Sequence, residues 1–246
     1  MLVRRGMRPR LTPRDLPFPP GLDEAMLDRV SGRLRHYAFR LFLRGAILCG
    51  GPFRPADATR YLTAVQARGL AEELLALGLA VRADGGRIEL AWPAKSFGGV
   101  LEWWVGRELR RRLACDVATG VRSGSRGVGG DLDVVAAPEG KLVYVELKSS
   151  PPKHVDRTQV ASFLRRVRAL RPSVTVFAVD TALRLSDRLL PMLVAEVAWR
   201  DPPRRLSRDN WELAPHLYAV NARQDLVENV CVAIADGLLS LSPPAP

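Results

Sequence analysis

The segment GGDLDVVAAPEGKLVYVELKSS, residues 129–150, decides the fold of this chain. Its two apolar runs, DLDVVAA and KLVYVELKS, are rich in β-branched residues and are joined by the short turn PEG. Such runs on either side of a turn predict an antiparallel β-hairpin. Because side chains alternate along a strand, Glu146 and Lys148 share one face of the second strand.

A symmetric register about that turn sets Asp133 opposite Glu146, and Asp131 opposite Lys148. Directly opposed side chains have Cβ atoms roughly 5 Å apart, and two carboxylates at that distance repel each other. A hard divalent cation with oxygen ligands would remove the repulsion. The hairpin therefore predicts a metal site at Asp133 and Glu146, with Asp131 replacing Asp133 if the register slips by two residues.

This arrangement suits phosphodiester hydrolysis, in which a metal ion activates water and Lys148 stabilises the charge that develops on phosphorus. The alternative is a solvated strand face with cross-strand ion pairs, which is the commoner meaning of an isolated ExK pair. Two features favour the catalytic interpretation. The strands are apolar enough for a domain centre, where unpaired charge is costly. The preceding loop, RSGSRGVGG, suits close approach to a phosphate backbone.

Hydrophobic periodicity divides the chain into three segments. Residues 1–20 are rich in proline and arginine and are predicted to form a flexible basic arm. Residues 21–95 contain helical stretches followed by two short strands around a glycine turn, a pattern that resembles a winged helix. Residues 96–246 alternate helices with apolar strands and predict an α/β domain, in which residues 199–216 are expected to form a loop.

Composition supports a nucleic-acid partner. The 246 residues carry a formal net charge of +11, and arginine dominates over lysine. A basic surplus of this size favours polyanions, and arginine suits bidentate contact with phosphate. Codon usage in a GC-rich genome is the alternative source of the same arginine excess.

Other classes of protein are disfavoured by the same inspection. No run of about 18 apolar residues predicts a membrane span, and the basic start lacks the apolar core of a secretory signal. Cys49, Cys115 and Cys231 are far apart, so we expect reduced, mostly buried thiols rather than disulfides or a zinc site. These features predict a cytoplasmic protein.

Taken in order, the motifs resemble the PD-(D/E)XK nuclease superfamily, which has the restriction-endonuclease-like fold. The matching residues are Glu102 in a leading helix, the loop RSGSRG, Asp133 before VVA, and Glu146 and Lys148 in ELKS. Residues 98–150 look most like archaeal Holliday junction resolvases. Leu132 stands where the family name has proline. The resemblance implies a central mixed sheet flanked by helices, after the winged-helix-like α+β domain.

The resemblance also implies roles for individual residues. Asp133, Glu146 and the main-chain carbonyl of Leu147 would bind Mg²⁺ or Mn²⁺, Glu102 would complete the metal shell, and Lys148 would be catalytic. Further nucleic-acid contacts are expected from the glycine-rich loop and the following helix, at Arg122, Ser123, Ser125, Arg126 and Gln159.

Several other residues compete for these roles. Glu108 lies on the same helix as Glu102, and His154 is a candidate phosphate contact. Trp103 and Trp104 are expected in a core or interface rather than as base-stacking platforms. The remaining arginines are candidate backbone contacts, although any one of them is more often part of a solvated helix face: Arg110, Arg111, Arg112, Arg165, Arg166 and Arg168.

Three functional hypotheses follow. The first is a metal-dependent endonuclease acting on DNA, including branched or single-stranded DNA, in repair, recombination or restriction. The second is a nuclease fold that binds DNA or serves as a scaffold without turnover. The third is a winged-helix regulator with a sensing domain. The complete Glu/Asp/Glu/Lys set favours the first, and a homodimer is left open.

Overall fold

The computed structural model describes residues 1–3, 9–10, 16–123 and 130–242. Two compact units are present. An N-terminal unit comprises Arg14–Trp104, and a sheet unit comprises Met1–Pro13 together with Val105–Pro246. The boundary between the two units therefore lies inside a helix, whereas the sequence predicted a domain boundary between residues 95 and 96.

The N-terminal unit contains three α-helices, then a β-hairpin, and then the first half of a fourth α-helix. Its elements are α1 (Glu24–Leu34), α2 (Tyr37–Cys49), α3 (Ala64–Ala76), β2 (Ala80–Ala83) and β3 (Arg87–Leu90). This is the order of elements that the sequence predicted. The interpretation as a DNA-contacting winged helix stays a prediction.

Local chemistry sets the ends of these elements. The Asp23 carboxylate accepts a hydrogen bond from the main chain of Met26 at 2.7 Å and so begins α1. Thr63 and Gln66 form a reciprocal capping box at the start of α3. Gly85, at a φ of 68°, allows the tight turn between β2 and β3.

Three residues assigned to the predicted basic arm have defined places. Phe18 is buried and meets the ring of Trp103 edge-on, at 4.8 Å between centroids. Pro9 and Arg10 form β1, which belongs to the sheet unit.

Trp104 is fully buried, as expected for a core residue, and the Arg40 guanidinium lies 4.8 Å from its ring.

The sheet unit is built on one mixed eight-stranded sheet. Its remaining strands are β4 (Val117–Ser123), β5 (Asp131–Ala136), β6 (Val143–Lys148), β7 (Val174–Val179), β8 (Arg204–Ser207), β9 (Asn210–Ala214) and β10 (Leu217–Asn221). The spatial order is β1-β4-β5-β6-β7-β10-β9-β8. β6, β7 and β10 run parallel, and the other neighbours are antiparallel.

Helices cover this sheet. They are α4 (Phe97–Leu113), which crosses the boundary between the units, α5 (Arg157–Leu170), α6 (Leu189–Val197) and α7 (Leu226–Ser240). The predicted fold class is confirmed: the sheet unit is a mixed sheet flanked by helices, consistent with a restriction-endonuclease-like fold. The prediction of a loop at residues 199–216 is wrong, because β8 and β9 form a hairpin there.

Strand alternation assigns the helices to two faces of the sheet. On one face, Tyr144 of β6 and Phe177 of β7 share a buried cluster with Phe163 of α5. On the other, α7 lies so close to β7 that a Cβ at Gly237 would sit 2.8 Å from a methyl of Val174. All six residues of β7 are buried, as expected for a parallel strand covered on both sides.

The three cysteines are free, as expected, but the prediction that they are mostly buried is wrong. Cys49 is exposed, whereas Cys115 and Cys231 are half-buried. In the part of the chain that the structure describes, no helix is long and apolar enough to cross a membrane.

An ion pair joins the edge hairpin to α7 and should make stability depend on pH. The Asp236 carboxylate accepts hydrogen bonds from Tyr218 at 2.8 Å and from Arg204. Burial raises the pKa of Asp236, but the hydrogen bonds from Arg204 and Tyr218 outweigh it, and the net effect is a lowered pKa. A lowered folded-state pKa stabilises the protein above the unfolded value, about 3.9, and this stabilisation is lost as pH falls through the folded value.

We therefore expect Asp236→Asn to lower the free energy of unfolding at pH 7 by about 1–3 kcal/mol. The difference from the unmodified protein should shrink as the pH falls below about 4. Urea denaturation across pH 3–8 measures both effects. Asp201→Asn, at an exposed position, is the control and should leave the pH profile unchanged. A pH-independent loss in Asp236→Asn would contradict the assignment.

Candidate functional site

The hairpin of β5 and β6 has the symmetric register expected from the sequence. Val134 pairs with Val145, and Val135 pairs with Tyr144. The next opposed positions are those of Asp133 and Glu146. Since Val135 and Tyr144 both belong to the buried cluster on the α5 side, alternation directs Asp133 and Glu146 to that same face.

The two strands stop pairing through their main chains at Asp133. There the Asp133 carboxylate accepts a hydrogen bond from the main-chain N–H of Leu147, with Oδ2 2.7 Å from the nitrogen. Asp131, the alternative under a slipped register, is paired instead with Arg122 of β4, at 3.3 Å between Nε and Oδ1. The register therefore favours Asp133 over Asp131 as the partner of Glu146.

Glu146 is the most buried carboxylate of the candidate site, with 2% of its side chain exposed. Its Oε1 accepts a hydrogen bond from Lys148 Nζ at 2.7 Å, and Arg166 Nη2 lies 2.8 and 2.7 Å from Oε1 and Oε2. The Tyr144 hydroxyl also donates to Oε2. A carboxylate has about four acceptor positions, so these four contacts satisfy Glu146 completely.

The surrounding cations keep Glu146 ionised. Burial alone raises the pKa of Glu146, but Lys148 and Arg166 outweigh it and the net effect is a lowered pKa. Burial and the neighbouring Glu146 carboxylate raise the pKa of Tyr144 well above its usual range, so this phenol remains a neutral donor. Glu146 is therefore an ionised carboxylate in contact with two cations and one neutral hydroxyl.

Arg166 and Tyr144 are the site residues that sequence reasoning missed. Arg166 was expected on a solvated helix face, whereas only 11% of its side chain is exposed, and its Nε donates to the Tyr144 hydroxyl at 2.9 Å. Their signal was present but faint. Tyr144 shares the strand face of Glu146, and Arg166 is three positions from Phe163, so that both lie on the inward face of α5.

Oxygen donors are available for a divalent cation. Asp133 and Glu146 supply ionisable carboxylates and Leu147 a main-chain carbonyl, the hard ligands that Mg²⁺ and Mn²⁺ prefer. A metal ion could bind the Glu146 carboxylate only by displacing at least one of the groups that now donate hydrogen bonds to it. Among the described residues, no group of three or more His, Cys, Asp or Glu side chains is arranged to hold a metal ion. Two carboxylates and one carbonyl would leave several positions of a six-coordinate ion to water or phosphate oxygens.

The two candidate glutamates of α4 occupy different surroundings. Glu102 is half-buried and belongs to the N-terminal unit, so its predicted role in the metal shell stays a prediction. Glu108 is buried and forms ion pairs with Arg111 at 3.0 Å and Arg112 at 3.2 Å. Glu108 is therefore part of a structural charge network that Arg112 extends to Glu228 of α7.

The predicted nucleic-acid contacts are only partly described. Arg122 is exposed at the end of β4, Ser123 is the last residue of that strand, and Ser125 and Arg126 lie outside the described residues. Gln159 is exposed and forms a capping box with Asp156 at the start of α5. His154 is exposed in the turn before α5. Arg110, Arg111, Arg165 and Arg168 are also exposed, and Arg112 is half-buried.

Solved structures share this fold. The protein VC1899 from Vibrio cholerae superposes with a TM-score of 0.57 at 17% identity, covering 94% of this chain and 60% of that one. Can2 from Sulfobacillus thermosulfidooxidans, solved in complex with cyclic tetra-adenylate, superposes with a TM-score of 0.54 at 14% identity, covering 96% and 60%. This chain thus spans about 60% of the length of the structures that it matches.

Identities this low establish a shared fold and nothing further. No protein-family model matches the chain, and no curated protein matches it by sequence.

Removing Arg166 tests the buried network. Arg166→Ala would leave a buried carboxylate with one cation fewer and a buried tyrosine without its donor, which should cost about 3–5 kcal/mol of unfolding free energy. Arg165→Ala is the matched control, because Arg165 is exposed and its side chain bonds to Ser162 on the same helix. It should change stability by less than about 0.5 kcal/mol. Urea denaturation at pH 7 measures the free energy of unfolding of both variants. Equal losses of this free energy would refute the structural role of Arg166.

Proposed function

We propose that this chain is a divalent-metal-dependent nuclease that hydrolyses phosphodiester bonds in DNA. One observation carries the proposal. Asp133 and Glu146 occupy opposed positions on one face of the sheet, and Lys148 contacts Glu146 at the same edge. A buried, ionised carboxylate beside a second carboxylate and a lysine is costly for stability and useful for phosphoryl chemistry.

Each side chain has a distinct role in this proposal. Asp133, Glu146 and the Leu147 carbonyl would hold Mg²⁺ or Mn²⁺, and Glu102 would complete the shell. When bound, such an ion neutralises phosphate charge and lowers the pKa of a coordinated water. Lys148 Nζ, released from Glu146, would lie close enough to stabilise the extra negative charge on the phosphorus oxygens.

DNA is proposed as the partner on charge and on structural likeness. The net charge of +11 favours a polyanion, and arginine supplies bidentate contacts to phosphate. Can2, which shares the fold, was solved in complex with a nucleotide ligand, cyclic tetra-adenylate. Repair, recombination and restriction are all compatible with such an enzyme, and branched or single-stranded DNA belongs among its test substrates.

The second candidate function is a nuclease fold that binds nucleic acid without turnover. It is favoured by the complete satisfaction of Glu146 by Lys148, Arg166 and Tyr144. In that case the cations serve permanently in place of a metal ion, and the cluster is a structural element.

Two substitutions separate these functions. Glu146→Ala should weaken Mn²⁺ binding in titration calorimetry and lower the rate of DNA cleavage by at least about 100-fold, because a metal ligand is removed. Lys148→Ala leaves the ligands in place. It should retain Mn²⁺ binding while cleavage falls by roughly 100- to 1,000-fold, the typical loss for one charge-stabilising group. Cleavage is assayed on plasmid, single-stranded, flap and four-way-junction DNA.

The controls are charge-matched. Asp131→Ala removes a nearby carboxylate from β5, and Lys141→Ala removes an exposed lysine at the opposite end of β6. Both should keep metal binding and cleavage. If the unmodified protein neither cleaves any of these substrates nor shows a thermal shift with Mg²⁺ or Mn²⁺, the enzyme assignment fails and the binding function is retained.

A further inference from the structure

Two neighbouring cavities open at the carboxyl end of the parallel strands, outside the site described above. One, of about 500 Å³, is lined by Lys153, Arg184 and Arg188, among other residues, and the other encloses about 280 Å³. Arg184 and Arg223 line both cavities, so the two cavities lie side by side. We call this feature the basic groove.

The groove carries a strong excess of positive charge. Its six cationic residues are Lys153, Arg184, Arg188, Arg205, Arg208 and Arg223, and its two acidic residues are Asp187 and Asp209. Asp209 is buried and directed into the protein. Within residues 1–3, 9–10, 16–123 and 130–242, no ion pair involves Arg184, Arg188 or Arg223. Exposed cations gathered in a concave surface without acidic partners attract anions.

A buried polar hub, formed by Asp209 and Asn221, fixes the loops that carry Arg184, Arg208 and Arg223. The Asp209 carboxylate accepts hydrogen bonds from the main chain of Leu185 and from Asn221 Nδ2, the latter at 3.1 Å. Asn221 Nδ2 also donates to the Leu183 carbonyl at 3.1 Å, and Asn221 Oδ1 accepts from the main chain of Arg223 at 3.1 Å. The hub thus ties together three loops, those after β7, after β10 and between β8 and β9.

The groove lies beside the candidate catalytic residues. Lys148 at the end of β6 pairs with Val179 of β7, which pairs with Asn221 of β10. These residues form one lateral row, and strands are about 4.8 Å apart, so the row spans roughly 10 Å. Lys153 lies in the loop that leaves β6, and Arg223 follows Asn221 by two residues. Ligands of open α/β sheets commonly bind outside the carboxyl ends of parallel strands.

We propose that the basic groove binds the phosphodiester backbone of the nucleic acid whose scissile phosphate reaches Asp133, Glu146 and Lys148. This inference rests on the proposed nuclease function for its orientation, but the groove's affinity for nucleic acid can be tested without cleavage. Arginine guanidinium groups on a preformed rim position a backbone without reading its sequence. Trp211, half-buried in the groove, offers an indole beside Arg205, whose guanidinium lies 5.7 Å from the ring.

The test is a binding measurement on the full chain in EDTA, where metal-dependent cleavage does not occur. The probe is a fluorescein-labelled 20-nucleotide DNA, single-stranded and as a duplex, followed by anisotropy between 50 and 200 mM salt. We expect Arg184→Gln/Arg223→Gln to raise the Kd roughly 10- to 100-fold, equally for unrelated sequences. The slope of log K against log salt should fall by about two, because two fewer phosphates would be neutralised.

The matched control is Lys141→Gln/Arg171→Gln, which removes two exposed cations at the opposite end of the same sheet. It changes net charge equally and should leave both Kd and slope close to those of the unmodified protein. Arg184→Lys/Arg223→Lys keeps the charge and should recover most of the slope. Thermal unfolding of each variant checks that the fold is intact.

The outcomes separate this inference from the proposed function. If the groove variant and the control variant lose DNA affinity equally, the proposed role of the groove is overturned, because net charge alone would then explain binding. The proposed role of the groove is also overturned if the groove variant binds DNA as tightly as the unmodified protein. If the unmodified protein nevertheless cleaves DNA, the nuclease proposal still stands. Selective loss of binding in a protein that never cleaves would support the groove and refute the nuclease.

Discussion

The sheet unit depends on the burial of one ionised carboxylate. Glu146 lies almost without solvent between Lys148, Arg166 and Tyr144, and each of these groups is needed because a buried charge without partners is strongly destabilising. Lys148 comes from the same strand, whereas Arg166 comes from α5 across the face of the sheet. Arg166 therefore couples the packing of α5 on the sheet to the carboxylate of the candidate site, and its loss would disturb both.

The same network explains how one site can support either proposed function. Oxygen ligands suited to a hard divalent cation are present, yet the four acceptor positions of Glu146 are filled by protein donors. An entering ion must displace at least one of these hydrogen-bond donors, so metal affinity reflects a difference between two favourable states. The basic groove at the same end of the sheet, organised by Asp209 and Asn221, would bring a phosphate backbone into that exchange.

Sequence patterns succeeded where the physical constraint is local. Alternation and a short turn were enough for the register of β5 and β6, because the length of the turn fixes which residues of a hairpin are opposed. They failed for the hairpin of β8 and β9, whose polar, proline-rich sequence resembles a loop. There Arg204 and Glu212 pair across the strands at 2.6 Å, so the edge strands are held by charge and by neighbours distant in sequence.

The sequence by itself determined that Asp133, Glu146 and Lys148 lie on one face of a central hairpin, because strand periodicity and turn geometry require only neighbouring residues. Tertiary structure alone decided what surrounds them. Arg166 is twenty residues from Glu146, and its helical spacing from Phe163 indicates an inward position without identifying Glu146 as its partner. The basic groove likewise forms only when parallel strands bring the loops after β6, β7 and β10 to one edge, since proximity across a sheet follows from strand order rather than from sequence order.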